Sequence, residues 1–216
     1  MVRLPFRDRT EAGRVLAEAM ASYAGRPDLL VLGLPRGGVV VAYEVARALG
    51  APLDVLIVRK LGRPGQEELA MGAIASGGIR VMNPQVAAWV PPSEIEAVIE
   101  REAQELRRRE LAYRGDRPPP ELAGRSLVLV DDGLATGATM RAAVQAVRQR
   151  APAEVVVAVP VAPPDTVALL ATEADAVVCP ATPEPFFGIG QWYEDFSQTT
   201  DAEVRELLAR ARSGSD

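Results

Sequence analysis

Short, unbroken apolar runs alternate along this chain with longer segments of helical spacing. Such runs lie at 28–34, 53–58, 127–130, 154–161 and 175–179. A run that is apolar on both faces of a strand is typical of parallel strands covered by helices on each side. The alternation therefore predicts an α/β fold, with a parallel, doubly wound sheet of about five strands, helices on both faces and right-handed crossovers.

Length and composition favour one globular domain. The chain has 216 residues, of which 48% are hydrophobic and 25% charged, so it is long enough to bury a substantial core. We expect a single domain over 1–216, with a core at about 25–180, a small hood of C-terminal and N-terminal segments centred on about 181–200, and a last helix at 201–212. A proline linker at 117–120 precedes the strand at 127–130.

Charge and cysteine content limit the partners and the compartment. The net charge of −5 gives no electrostatic reason to expect nucleic-acid binding. No run approaches the roughly 18 apolar residues of a membrane span, and the first residues lack the apolar core of a signal peptide. One cysteine, Cys179, excludes an internal disulfide. We therefore expect a cytoplasmic protein without membrane contact.

The chain contains no histidine. This absence removes Ser-His-Asp and Cys-His catalysis, HExxH zinc sites and imidazole general bases. Chemistry must then rest on carboxylates, arginine, lysine, backbone dipoles or a metal held through oxygen. Lys60 is the only lysine among 24 basic residues, which makes its position of interest.

Two adjacent carboxylates, Asp131 and Asp132, follow the apolar run at 127–130. They are predicted to emerge at the carboxyl edge of the sheet, where open parallel sheets bind ligands. The small-residue loop at 133–139 then opens a helix at 138–150, and its backbone N–H groups and threonine hydroxyls suit a phosphate. The pattern favours a sugar phosphate, with its hydroxyls on the acids. The alternative is an ordinary strand–turn–helix with two solvated aspartates.

A second anion site is predicted at the same edge. The turn Pro35-Arg36-Gly37-Gly38 follows the first strand, and its glycines permit close backbone approach to a ligand while Arg36 offers a planar fork. Arg59 and Lys60 follow the second strand, at 53–58. The alternative is a tight turn with a surface arginine, and a lone surface lysine.

The run VLVDDGLATGAT resembles the motif that binds 5-phosphoribosyl-1-pyrophosphate (PRPP) in type I phosphoribosyltransferases. The turn at 35–38 resembles the pyrophosphate loop of that family, which often carries a non-proline cis peptide, here expected just before or after Arg36. The aromatic segment FFGIGQWYEDF at 186–196 resembles the Phe-x-x-Gly segment of hypoxanthine-type hoods. Its aromatic residues either form a stacking pocket or pack the hood against the sheet.

The resemblance implies transfer of the phosphoribosyl group from PRPP to a nitrogen acceptor, usually a nucleobase, with release of pyrophosphate. It also implies Mg²⁺, held by Asp131 and Asp132 through water. The implied catalytic residues are Asp131, Asp132, Arg36 and Lys60. The implied PRPP-binding residues are Pro35, Gly37, Gly38, Arg59, Gly133, Leu134, Ala135, Thr136, Gly137, Ala138 and Thr139. The implied acceptor-binding residues are Phe187, the stacker, with Ile189, Trp192 and Glu194.

Three further segments complete the sequence-based picture. The polar loop at 61–68 is expected to be a mobile flap, and a hairpin turning at Gly77-Gly78 is expected over 70–82. A charged helix is expected over 94–113, begun by a capping box of Ser93 and Glu96, and serving as a solvated flank or a subunit contact. A homodimer is an expectation from the family only.

The sequence departs from the family pattern in two places, and two alternative functions remain. Purine-specific members place a basic residue on the strand before the hood, and DAVVCP at 175–180 has none. The charged helix is also an addition to a minimal family member. A regulator that senses PRPP or a nucleotide on the same fold is the main alternative, although Arg36, Lys60 and both acids favour an enzyme. A dinucleotide binder is disfavoured because no GxGxxG follows a strand.

Overall fold

Within the described residues, the chain forms one parallel sheet of five strands and one antiparallel sheet of three. A computed structural model describes residues 2–214 apart from the side chain of Glu68; residues 1, 215 and 216 of the predicted domain lie outside it. In chain order the strands are β1 (Leu29–Gly33), β2 (Leu53–Val55), β3 (Val58–Arg63), β4 (Gln66–Ala75), β5 (Ile79–Met82), β6 (Ser126–Val130), β7 (Glu154–Ala158) and β8 (Ala176–Val178). The parallel sheet has the order β2-β1-β6-β7-β8, and the antiparallel sheet β3-β4-β5.

The helices fall mostly where apolar spacing predicted them. They are α1 (Arg9–Ala19), α2 (Gly37–Leu49), α3 (Pro84–Ala87), α4 (Pro92–Arg114), α5 (Ala138–Arg148), α6 (Pro164–Leu170) and α7 (Asp201–Ser213). Asp8 caps α1 by accepting a hydrogen bond from the Glu11 amide at 2.8 Å. The predicted capping box of Ser93 and Glu96 is wrong, because α4 already begins at Pro92, with Pro91 as the N-cap and no side-chain cap.

Helices cover both faces of the parallel sheet, which confirms the predicted fold class. Alternate residues of β1 and β6 point to opposite sides. Val31 and Val128 join the core beneath α1 and α2, whereas Leu32 and Leu129 join the core beneath α5. Every residue of β1 and β6 is buried, as expected for central parallel strands.

The register of β1 and β6 sets the position of the candidate site. These strands pair in parallel from Leu29 opposite Ser126 to Gly33 opposite Val130, so both end at the same level. Just beyond, the Leu34 amide donates to the Val130 carbonyl at 2.8 Å. The loops that follow the two strands therefore leave the sheet side by side at its carboxyl edge.

The predicted strand at 53–58 is divided between the two sheets. The strand β2 ends at Val55, and the chain enters the antiparallel sheet at Val58. The crossing is held by Leu56, which donates to the Gly33 carbonyl at 3.0 Å, and by Ile57, which donates to Ser76 Oγ at 3.1 Å. An unbroken apolar run does not reveal such a crossing, because both of its halves are buried.

The predicted polar loop at 61–68 is instead the turn end of a β-hairpin formed by β3 and β4. The strands β3 and β4 pair from Val58 opposite Ala75 to Arg63 opposite Gln66, and the turn includes Gly65 at a φ of 76°. The predicted hairpin over 70–82 is confirmed, since β4 and β5 are joined through Gly77 and Gly78, both at positive φ. The predicted role of 61–68 as a flap stays a prediction.

The charged helix α4 packs its apolar stripe within the chain. Val98, Leu106 and Tyr113 are buried in one cluster with Leu61 of β3 and Leu208 of α7. The helix thus covers the antiparallel sheet, and its charged face remains outward. Of the helices in residues 2–214, none has both the length and the apolar character needed to cross a lipid bilayer.

Candidate active site

The two sequence-predicted anion elements lie in contact at the carboxyl edge. A Cβ atom placed on Gly37 would fall 2.0 Å from Asp132 Oδ2, and one on Gly38 would fall 2.9 Å from Asp131 Oδ1. Only a residue without a side chain leaves room for the acids at these positions. The turn after β1 and the acid pair after β6 therefore form one continuous surface.

The turn after β1 has the backbone geometry that the sequence predicted. The peptide bond between Pro35 and Arg36 is cis, which confirms the expected position beside Arg36. Arg36 immediately precedes α2, and its Nη1 lies 3.9 Å from Asp201 Oδ1 at the start of α7. Asp201 also accepts a hydrogen bond from the Tyr113 hydroxyl at 2.7 Å. Burial, followed by this hydrogen bond, raises the pKa of Tyr113 to about 12.

The two acids occupy different environments. The Asp131 carboxylate accepts a hydrogen bond from the Asp132 amide at 2.8 Å. Loss of solvent, and then repulsion by Asp132, raises the pKa of Asp131 well above its usual range. Asp132 is buried and forms an ion pair with Arg9, whose Nε lies 2.7 Å from Oδ2.

The loop at 133–139 is anchored at its base and open at its tip. Leu134 is buried and donates to the Val161 carbonyl at 3.0 Å, and Thr166 Oγ1 donates to the Ala135 carbonyl at 2.7 Å. Gly137, the N-cap of α5, lies in the left-handed region, at a φ of 71°. The exposed residues of the loop are Ala135, Thr136, Ala138 and Thr139. Their exposure leaves the positive end of an 11-residue helix accessible to an anion.

The aromatic segment closes over this loop together with the N-terminal segment. Phe6 forms a parallel bridge with Tyr193, and their rings lie 5.6 Å apart. A Cβ atom on Gly133 would fall 2.7 Å from Ile189 Cγ2, so the segment touches the acid loop directly. The hood thus joins residues from both ends of the described chain.

The packing interpretation is confirmed for part of the aromatic segment, whereas the stacking pocket stays a prediction. Phe186 and Trp192 pack with ring centroids 5.9 Å apart, and Trp192 Nε1 is buried with no hydrogen-bond acceptor in the described part of the chain. Phe187, in contrast, is 86% exposed. Glu194 is exposed, and its amide donates to the Phe6 carbonyl at 2.8 Å.

The predicted location of Arg59 and Lys60 is wrong. Neither residue ends a strand of the parallel sheet, since both lie within β3 of the antiparallel sheet. The Arg59 guanidinium pairs with Glu102 of α4, with Nε at 2.9 Å from Oε2. Lys60 is exposed. Their predicted roles in PRPP binding stay predictions.

Two residues of the site, Arg9 and Tyr193, were not predicted as functional. Arg9 lies far from every motif and begins an ordinary amphipathic helix. Tyr193 donates its hydroxyl to the Asp132 carbonyl at 2.5 Å, and burial, followed by the charge of Asp132, raises the pKa of that hydroxyl. Within the sequence, the density of aromatics at 186–196 is the only pointer toward Tyr193.

The fold and the site define the class of this protein as an α/β domain with a doubly wound parallel sheet. Its acid pair, small-residue loop and glycine turn meet at the carboxyl edge, where such sheets bind ligands. The profile of the phosphoribosyl transferase domain matches residues 9–190, and the chain belongs to that family. Two Mycobacterium tuberculosis proteins, from strains CDC 1551 and H37Rv, are provisionally named phosphoribosyl transferases. Each is 51% identical to this chain over 208 residues, which are 95% of this chain and 47% of the relative. The chain thus spans about half the length of these curated relatives.

Two solved structures share the fold. The crystal structure of TT1426 from Thermus thermophilus has a TM-score of 0.87 and 48% sequence identity, and covers 96% of this chain and 99% of its own. The AQ2163 protein of Aquifex aeolicus has a TM-score of 0.52 at 12% identity, covering 93% of this chain and 85% of its own. The second likeness concerns the fold alone.

Proposed function

We propose that this protein transfers the 5-phosphoribosyl group from PRPP to a nitrogen acceptor, a nucleobase, and releases pyrophosphate. The observation that carries the proposal is the contact between the glycine turn and the acid pair, with Gly37 facing Asp132 and Gly38 facing Asp131. One ligand with a phosphate, a ribose and a diphosphate would span the elements that meet there. The family of the chain supports the same reaction class.

Charge placement accounts for most of the proposed catalysis. The bond from the anomeric carbon to the diphosphate oxygen breaks as the acceptor nitrogen bonds to that carbon, through a transition state with positive charge on the ribose. Asp131 and Asp132 hold the ribose hydroxyls and stabilise that charge. The loop at 133–139 holds the 5-phosphate through backbone N–H groups and the hydroxyls of Thr136 and Thr139.

The leaving diphosphate requires positive charge and donors. Arg36 provides a planar fork, while the amides of Gly37 and Gly38 begin α2. Lys60, on β3, is the proposed ammonium contact, and Pro35 and Arg59 are further proposed PRPP-binding residues. Arg36 would exchange its long contact with Asp201 for the stronger charge of the diphosphate.

The acid pair suits Mg²⁺. This cation takes carboxylate oxygens, water and substrate phosphates in preference to a cage of protein ligands. In residues 2–214, no group of three or more candidate ligands surrounds a metal position, so the protein would contribute Asp131 and Asp132 only. When bound, Mg²⁺ would supply neutralising charge for the diphosphate.

The hood is the proposed acceptor site. Phe187 offers an exposed ring for stacking on a base, and Ile189, Trp192 and Glu194 lie within the same segment. No lysine or arginine occurs between Arg150 and Arg205, so recognition would use backbone groups, carboxylates and ring faces. The proposed partners are PRPP and this small acceptor in the cytoplasm, with neither nucleic acid nor membrane.

Pyrophosphate release tests the function directly. The protein is mixed with PRPP and Mg²⁺, and nucleobases are added one at a time. The expected result is release with at least one base, and its loss in the Asp131→Asn, Asp132→Asn double variant. The Asp116→Asn variant, which alters an exposed carboxylate outside the site, is the control. Tight PRPP binding without release for any base would favour a PRPP sensor. No PRPP binding would contradict the proposed transferase and a PRPP sensor alike.

A further inference from the structure

Arg9 connects four parts of the candidate site. It is the first residue of α1, and its Nε lies 2.7 Å from Asp132 Oδ2, with the two side chains 12% and 13% exposed. Its Nη1 donates to the Ser197 carbonyl at 2.7 Å, and its guanidinium carbon lies 4.0 Å from the centroid of the Phe196 ring. A Cβ atom on Gly37 would fall 2.7 Å from Arg9 Nε.

Helix stability does not explain an arginine at this position. The first turn of a helix favours negative charge, because unpaired N–H groups give it a positive end. A cation there is stabilised instead by its contacts outside the helix, with the acid, the carbonyl and the aromatic ring. Arg14, further along α1, is the contrasting case: it is 57% exposed and pairs with Glu44 at 3.4 Å.

We propose that Arg9 is a positioning residue for phosphoribosyl transfer: it fixes the Asp132 carboxylate beneath Gly37 and joins that carboxylate to the hood. This inference rests on the proposed function. Arg9 engages one carboxylate oxygen, so the other is directed to the ribose. Because Nη1 bonds the hood at Ser197, the same guanidinium links the orientation of Asp132 to the segment that is proposed to bind the acceptor.

The expected kinetic consequence is a loss in kcat with a smaller change in the KM for PRPP. A carboxylate that rotates away from the ribose still lies in the site, whereas its transition-state contact is lost. Displacement of a reacting group by about 1 Å can cost roughly 100-fold in rate, so we expect Arg9→Gln to lower kcat by about 10- to 100-fold. Arg9→Lys keeps the charge without the fork and should recover part of the rate.

Steady-state kinetics of Arg9→Gln, Arg9→Lys and Arg9→Ala, with Arg14→Gln as the matched control, test the inference. A hollow of about 170 Å³ lined in part by Arg9, Thr10 and Ser197 adjoins the guanidinium, so added guanidinium should partly restore kcat in Arg9→Ala. Each kcat is divided by the fraction of folded protein, which thermal unfolding measures. The double variant Arg9→Gln, Asp132→Asn should be no slower than Asp132→Asn alone, since Arg9 acts through that acid.

The outcomes separate this inference from the proposed function. If the wild-type protein releases no pyrophosphate, the proposed function fails, and the role of Arg9 in it fails too. If the wild-type protein turns over and Arg9→Gln matches Arg14→Gln in kcat per folded molecule, the inference alone is overturned. The inference alone is also overturned if added guanidinium restores no kcat in Arg9→Ala. It is likewise overturned if the losses in kcat of Arg9→Gln and Asp132→Asn multiply in the double variant.

Discussion

The hydroxyl of Tyr193 donates a 2.5 Å hydrogen bond to the main-chain carbonyl of Asp132. This bond joins the hood to the backbone of the acid loop, at a residue whose side chain is held separately by Arg9. The Tyr193 ring packs against Phe6 and Phe196, with centroids 5.6 and 5.0 Å away. Backbone and side chain of Asp132 are thus both fixed from the hood side.

Replacing Tyr193 by Phe should lower the free energy of unfolding. The ring contacts persist, but the buried Asp132 carbonyl loses its donor, which typically costs about 1–3 kcal/mol. Denaturant unfolding measures the change. Tyr43→Phe, whose ring lies over the Arg210 guanidinium at 5.2 Å, is the matched control. Equal stability of the two variants would contradict the importance of the Tyr193 bond.

Replacing Gly37 by Ala should weaken PRPP binding strongly. The added methyl would overlap Asp132 Oδ2 at 2.0 Å and Arg9 Nε at 2.7 Å, so the ion pair must move away from the turn. Isothermal titration of PRPP with Mg²⁺ measures the affinity, with an expected loss of about tenfold or more. Gly214→Ala, where the nearest atom lies 3.6 Å from the added carbon, should bind PRPP as the wild-type protein does. An unchanged affinity in Gly37→Ala would show that the turn is not part of the PRPP site.

Replacing Asp131 by Asn should stabilise the ligand-free protein near neutral pH. The pKa of Asp131 is raised by lost solvent and then by Asp132, so the folded state favours the protonated acid. Wild-type stability is therefore penalised as the pH rises above the unfolded pKa of about 3.9, and the penalty grows until the folded pKa is passed. An uncharged Asn at this position avoids that loss of stability.

Thermal unfolding of Asp131→Asn and wild type at about pH 4.5 and about pH 7.5 measures this dependence. The gain in Tm should be larger at the higher pH. Asp116→Asn, at an exposed position, controls for the general effect of removing one negative charge. A gain in Asp131→Asn that is larger at the lower pH would reverse the predicted sign.

Replacing Phe187 by Ala should raise the KM for the acceptor without changing stability. The ring is 86% exposed, and surface substitutions of this kind usually alter stability by no more than about 0.5 kcal/mol. Trp89→Ala removes another aromatic ring, 77% exposed on the turn between α3 and α4, and should leave the KM unchanged. If both variants bind the acceptor equally well, Phe187 is not the stacking residue.

The parallel sheet could be predicted because its signal is local. Each central strand is an apolar run that a helix follows, and the acid pair ends such a run at Val130. The contact between Gly37 and Asp132 follows from the same logic, since parallel strands present their carboxyl ends at one edge. Predicting this part of the site requires only the order and direction of the strands.

The antiparallel sheet could not be predicted in full, because the run at 53–58 does not record where the chain changes sheets. The assignment of Lys60 to the parallel edge failed for that reason. Arg9 and Tyr193 were not predicted for another reason, which the two residues share. Their contacts with Asp132 span 123 and 61 residues of sequence, and no local pattern encodes a pairing over that distance.

Lys60, as the proposed diphosphate contact, would give the site a second support on a separate sheet. Asp131, Asp132 and Gly37 are attached to the parallel sheet, whereas Lys60 is attached to a layer stabilised by α4 through Arg59 and Glu102. A tilt of that layer would change the distance between the lysine and the acids while leaving the parallel core intact. Under the proposed role of Lys60, substitutions in α4 would then alter diphosphate affinity independently of ribose recognition.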